Sequence, residues 1–275
     1  MNAAPHPSGG KRLHWWGTLL YVPVLYGAGW LLARPLAQIF PSWRLDQVDL
    51  AGAALALALL LLTLPWRLRQ AWDSETPWRT LGLAAPLPVV LRAFVRGLLK
   101  ALLLLTGVCA VLLLLGLARW GPLPPGPVLL NALALLLGVG FAEELLFRGW
   151  LLGELSLQLG RQRALWLQAT LFSLLHARFH LPPITLLPLL VGLLLLGLAL
   201  GLQRRADGGV LWGAVGLHGG LVGGWFLLEQ GWLVLAPTTP SWLIGGTPGS
   251  ANPIGGLLGW LGLALLLLVR RRWWG

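Results

Sequence analysis

Read from its first residue, the chain alternates long apolar runs with short polar breaks. Eight apolar segments stand out: about Trp15 to Leu36, Leu50 to Trp66, Leu99 to Leu117, Val128 to Leu152, Ala164 to Ala177, Thr185 to Leu202, Gly209 to Leu228 and Ile254 to Val269. Most are Leu-rich and carry almost no polar face, so neither helical amphipathicity nor strand alternation describes them. A bilayer core of about 30 Å needs roughly 20 apolar helical residues. The pattern therefore predicts an all-α, polytopic membrane helix bundle of about eight transmembrane helices. Between the segments lie a linker with Arg67, Arg69 and Arg79, a basic amphipathic stretch with Arg92, Arg96 and Lys100, a Gly/Pro hinge from Gly121 to Pro127, and a loop from Thr238 to Pro253 rich in Pro, Gly, Ser and Thr. Three regions follow: residues 1–127 with N-terminal spans and a linker, 128–230 as a core, and 231–275 with an outer loop and a last span.

Composition supports lipid as the solvent. Of 275 residues, 57 % are hydrophobic and only 11 % charged, where a soluble domain carries about a quarter charged residues. Mean hydropathy is +0.76. The net charge of +11 would suggest nucleic acid in a soluble protein. Here the basic residues flank apolar spans, where they set orientation and meet anionic headgroups. With eight spans and both termini cytosolic, fifteen of the twenty Lys and Arg residues fall inside, against Arg34, Arg44, Arg119 and Arg178 outside, with Arg148 within a span. The terminal groups Lys11, Arg12 and Arg270 to Arg272 belong to the inner set. The first residues have no convincing cleavage site, so the first segment reads as a retained helix. Many of the 17 tryptophans, such as Trp15, Trp16, Trp66 and Trp120, sit at span ends as interfacial anchors do. The single cysteine, Cys109, reads as a small buried hydrophobe. Gly216, Gly220 and Gly224 share one helical face, as do Gly197 and Gly201, and predict close helix packing.

The chemistry concentrates in three segments. The fourth contains Phe141-Ala142-Glu143-Glu144-Leu145-Leu146-Phe147-Arg148. Ionisable groups inside a span are costly and usually mark a site. Consecutive residues of an α-helix diverge by about 100°. Glu144 lies four residues before Arg148, in the favourable order for an ion pair. Glu143 points elsewhere and reads as a carboxylate facing a cavity, suited to general-base work. Glu154, Asp207 and Glu229 fall near span ends and read as interfacial. The fifth segment places Phe172 and His176 on one face, and the seventh carries His218 among glycines. At about 1.5 Å rise per residue, Glu143, His176 and His218 reach compatible depths. A lone histidine is more often hydrogen-bonded to a neighbouring span than catalytic, but the three together point to one site.

Glu143-Glu144-x-x-x-Arg148, then Phe172-x-x-x-His176, then His218 resembles the CPBP family of intramembrane proteases, which includes Ras-converting CAAX prenyl endopeptidases and Abi-type proteins. The ordered motifs cover about Val128 to Trp225. The resemblance implies an endopeptidase acting on a peptide or membrane-protein substrate in a bacterial plasma or internal membrane, without nucleic acid. By that analogy Glu143 and His176 activate a water, His218 binds the oxyanion, and Glu144, Arg148 and Phe172 support the site. It implies no cofactor. One Glu and two His could also ligate zinc, in which case Glu143, His176 and His218 would be the ligands. Members commonly carry Asn or Asp where this chain has Val222, a departure that removes one oxyanion donor. Ser173 and Gln168 are the polar residues nearby in sequence. The rival reading is a non-catalytic scaffold or peptide-toxin immunity protein, which needs the Glu144–Arg148 pair but neither Glu143 nor His218. A transporter with Glu143 as proton relay would need polar outer halves, which these spans lack.

Overall fold

The computed structural model describes residues 14–269. The terminal basic residues of the charge argument, Lys11, Arg12 and Arg270 to Arg272, lie outside the described residues. Within them the chain is almost entirely helical. The principal helices are α1 (Trp15–Ala33), α2 (Leu45–Ala71), α3 (Leu87–Leu114), α4 (the stretch Gly126–Leu159), α5 (Arg161–Leu175), α6 (Pro183–Ala206), α7 (Trp212–Leu227) and α8 (Leu257–Val269). Five helical stretches are long and apolar enough to cross a membrane: Trp15–Ile39, Leu45–Ala71, Leu87–Leu114, Gly126–Leu159 and Pro183–Ala206. The segments expected as fifth, seventh and eighth spans form shorter helices of 15, 16 and 13 residues. Large apolar side chains face outward along these helices, with Leu62 76 % and Leu114 86 % exposed. Such surface is tolerable in lipid and would drive association in water.

The chain divides into two compact units at Thr80 and Leu81. In the first, α1 packs on α2 with little between the backbones: a Cβ on Gly29 would meet Gly52 O and the Ala56 backbone. Tyr21 shares a 2.7 Å hydrogen bond with Thr63 across the pair, and the Arg67 guanidinium lies 4.6 Å from the Tyr21 ring centroid.

In the second unit, α7 is the central helix and glycine is the reason. A Cβ on Gly216 would strike Phe94 O, and one on Gly220 or Gly224 would press on Ala101 or Leu105, all on α3. The next glycines round the helix face α4, where a Cβ on Gly219 would strike Leu136 O and one on Gly223 Ala132 O. Gly197 and Gly201 of α6 meet Ala169 and Leu165 of α5 in the same way. Lipid offers no hydrophobic drive between helices, so backbone proximity and dispersion take its place. The expected glycine faces are thus packing faces.

Several elements differ from the sequence expectation. The basic stretch with Arg92, Arg96 and Lys100 is not separate from the third segment; it forms the first turns of the continuous α3. There Arg96 pairs with Asp207 at 2.5 Å and Lys100 donates to Gln203 at 2.6 Å. Asp207 is therefore no exposed interfacial acid: its side chain is nearly inaccessible and also accepts from Gln203. The residues just before the hinge form a strand, β1 (Ala118–Trp120), paired antiparallel with β2 (Leu233–Leu235). Non-local pairing of this kind leaves no periodic trace in three residues. α4 contains two π-helical stretches, Leu135–Val139 and Leu145–Leu151, on either side of one α-turn at Gly140–Glu144. Wider turns of this kind are frequent at functional sites, and here they bracket the two acids.

Candidate active site

The α-turn between the π stretches presents Glu143 and Glu144 to different surroundings. Glu144 is fully buried. Its Oε1 accepts from Arg148 Nη1 at 2.7 Å and from His218 Nδ1 at 2.8 Å. The expected ion pair is present, and it does more than neutralise Arg148, because the same oxygen orients a histidine from α7. Glu143 keeps a side chain 27 % exposed and lines a cavity of about 500 Å³. Glu143 meets histidines from two other helices. Its Oε2 lies 3.2 Å from His176 Nε2 and 3.8 Å from His218 Nε2. Two imidazoles thus offset the desolvation of the carboxylate.

Local backbone chemistry fixes the tautomers. His176 stands just beyond the last residue of α5, and its Nδ1 donates to Phe172 O at 2.7 Å. His218 commits its Nδ1 to Glu144. Each histidine therefore turns Nε2 towards Glu143. A proton must lie between Glu143 and His176, since a carboxylate and an unprotonated Nε2 cannot bond to each other. One proton is shared where the two side chains meet.

Phe172 is the plate on which this cluster rests. The Arg148 guanidinium lies 4.1 Å from its ring centroid. His176 packs beside it at 4.5 Å, His218 meets it edge-on at 5.8 Å, and Phe147 at 5.0 Å. The sequence pattern placed Phe172 in the site but overlooked Phe147. All six expected residues, Glu143, Glu144, Arg148, Phe172, His176 and His218, are brought together. Ser173 is not: its hydroxyl donates to Leu190 O at 2.7 Å. Gln168, one turn before Phe172, is fully buried, and its amide atoms have no hydrogen-bond partner among the described residues. Neither residue lines the cavity. Glu154, expected at an interface, is fully buried and accepts from Trp150 at 2.6 Å. Glu229 lines the cavity beside Arg178.

The cavity walls are largely apolar. α3 supplies Leu104 and Val108, α6 Leu189 and Leu193, α7 Val222, and α8 Leu263. Val222 faces the same space as Glu143 and His218, and offers no hydrogen-bond donor. A short segment, Ser250 to Ile254, closes another side, held by Trp225 Nε1 donating to Ala251 O at 2.8 Å. Among the described residues no three His, Cys, Asp or Glu side chains form a group that could hold a metal ion.

A second arginine supports the motif from behind. Arg204, near the end of α6, donates through Nη1 to Arg148 O and to Gly149 O. Two adjacent arginines at the end of an apolar run look like interfacial charges, so the sequence held no signal for this role.

The arrangement defines a class: a membrane helix bundle with a carboxylate and two imidazoles converging in an apolar cavity. Comparison with known families agrees. Residues 125–223 match the family described as type II CAAX prenyl endopeptidase Rce1-like. This stretch, which holds every side chain of the cluster, is similar to that family of CAAX-type membrane proteases, and the five long apolar helices mark the chain as an integral membrane protein. Residues 2–76 match a domain of unknown function, a range that ends close to the boundary between the two units. No curated protein and no solved structure matches the chain. The parts of the cavity wall on α3, on α8 and at Ser250 to Ile254 lie outside the family match.

Proposed function

We propose that the protein is an intramembrane endopeptidase resembling CAAX prenyl proteases, which hydrolyses peptide bonds with a water activated by Glu143 and His176. The observation that carries this reading is the approach of both Nε2 atoms to one Glu143 oxygen within an apolar cavity. A water beside the Glu143–His176 pair gives its proton to the carboxylate as its oxygen attacks the scissile carbonyl. The proton already held between Glu143 and His176 is available to the leaving amine. His218, carrying a proton on Nε2 as well as on the Nδ1 bonded to Glu144, stands on the other side of Glu143, and its Nε2–H stabilises the oxyanion as charge develops. Its Nδ1 bond to Glu144 keeps the ring turned that way. Arg148 neutralises Glu144 and is itself held over Phe172.

Val222 leaves the oxyanion with one side-chain donor fewer, which predicts slow turnover rather than a different reaction. No step needs a metal in this scheme. The substrate is a peptide or membrane protein whose scissile segment enters the apolar cavity from the lipid phase. We further propose eight crossings with both termini cytosolic, the three shorter helices spanning a membrane locally thinned around the cavity, and a functional core at 128–230 within the regional division 1–127, 128–230 and 231–275. A quenched peptide library offered to the detergent-purified protein tests the activity. Cleavage abolished by Glu143→Ala and by His176→Ala supports it, and cleavage surviving either contradicts it.

A further inference from the structure

Arg204 donates to backbone carbonyls in three separate segments. Besides Arg148 O and Gly149 O, its Nε donates to Gly209 O at 3.1 Å and its Nη2 to Leu81 O at 3.2 Å. Arg148 and Gly149 lie in the π stretch Leu145–Leu151, just before the helix returns to α-turns at Leu152. Gly209 belongs to the turn between α6 and α7. Leu81 precedes α3, and the next residue, Gly82, accepts from Leu211 N at 2.9 Å. The guanidinium therefore joins the back of the acid-bearing helix to the start of α7, the helix that carries His218.

This placement has a consequence for the site. A π-to-α transition changes the register of the helical hydrogen-bond ladder. The turn that undergoes the change is the one that sets where Arg148 points, and so where Glu144 Oε1 meets His218 Nδ1. Carbonyl oxygens have two lone pairs, and the rigid planar fork of an arginine spreads five donors over several of them, where an ammonium offers three donors at a single point.

We propose that Arg204 is a positioning residue. Its guanidinium fixes the π register of Leu145–Leu151 against the α6–α7 turn and thereby holds Glu144 against His218. This rests on the hydrolase reading for its kinetic consequence only. The geometric consequence is independent of it.

The test uses the full chain in detergent with ¹⁵N-labelled histidine. The Nδ1–H resonance of His218, assigned by its loss in His218→Gln, lies downfield while the bond to Glu144 is intact. Arg204→Gln is expected to lose that resonance and at least tenfold in kcat, with KM within twofold and melting close to wild type. Arg204→Lys, which keeps the charge but not the fork, is expected to show a weakened resonance and an intermediate kcat. Should the Gln variant fail to fold, the Lys variant carries the test. Arg205→Gln, which removes the neighbouring donor to Arg161 O, is expected to leave both readings unchanged. A His218 resonance at full intensity in folded Arg204→Gln or Arg204→Lys overturns the proposal. If wild type cleaves no peptide, the hydrolase reading falls, while the resonance still decides the role of Arg204.

Discussion

His218 Nδ1 lies 2.8 Å from Glu144 Oε1, so the histidine of α7 is held by the same oxygen that neutralises Arg148 on α4. The two acids of the motif thereby take different positions. Glu144 builds the frame, and Glu143, one residue earlier, faces the cavity. Removing one partner of a fully buried pair leaves a charge without compensation, at about 3–5 kcal/mol. Glu144→Ala should cost roughly that much stability, read as a lowered thermal midpoint in detergent. The double variant Glu144→Leu/Arg148→Met should recover a large part of it. A Glu144→Ala protein as stable as wild type would contradict the frame role.

Close approach of α4 and α7 depends on Gly219, whose Cβ would strike the Leu136 carbonyl. Gly219→Ala should force the helices apart, destabilise the protein by more than about 2 kcal/mol and abolish cleavage. Gly138→Ala is the matched control, because a Cβ there meets nothing within 4 Å. It should be neutral in both measurements.

Val222 lines the cavity with an apolar side chain one helical turn beyond His218. Loss of an oxyanion donor costs about 10²–10³ in kcat in proteases. Val222→Asn should therefore raise kcat, by roughly tenfold or more if its amide reaches the oxyanion, with little change in KM. An unchanged or lowered kcat would mean that a backbone donor already completes the hole.

A glutamate-based mechanism is insensitive to chelation. Dialysis against EDTA and phenanthroline should leave cleavage unchanged, and metal analysis should find far less than one equivalent of zinc. Cleavage lost on chelation and restored by zinc would assign Glu143, His176 and His218 as ligands instead.

The sequence made the helical architecture and the polar cluster legible for one reason. Ionisable residues in apolar spans are rare enough that Glu143, Glu144, Arg148, His176 and His218 stood out individually. The glycine faces on α6 and α7 were legible because spacing alone puts Gly216, Gly220 and Gly224 on one side. Other features depend on partners distant in the chain. The π stretches on either side of Glu143 and Glu144 have no compositional signature. Arg204 resembled any arginine at a span end until α4 and the α6–α7 turn were folded around it. Glu154 and Asp207 looked interfacial because burial beside Trp150 and Arg96 is a tertiary event. The cavity wall from α8 and from Ser250 to Ile254 lies far along the chain from the motifs, and the β1–β2 pair joins residues more than a hundred positions apart.

The central claim is that Glu143 is the carboxylate that activates water. The most direct measurement compares peptide cleavage by wild type and by Glu143→Gln, a near-isosteric change that keeps the cavity shape and leaves Glu144–His218 untouched. Wild type is expected to cleave, and the Gln variant to fall by at least 10³-fold with an unchanged thermal midpoint. A folded Glu143→Gln protein that cleaves within tenfold of wild type would contradict the account.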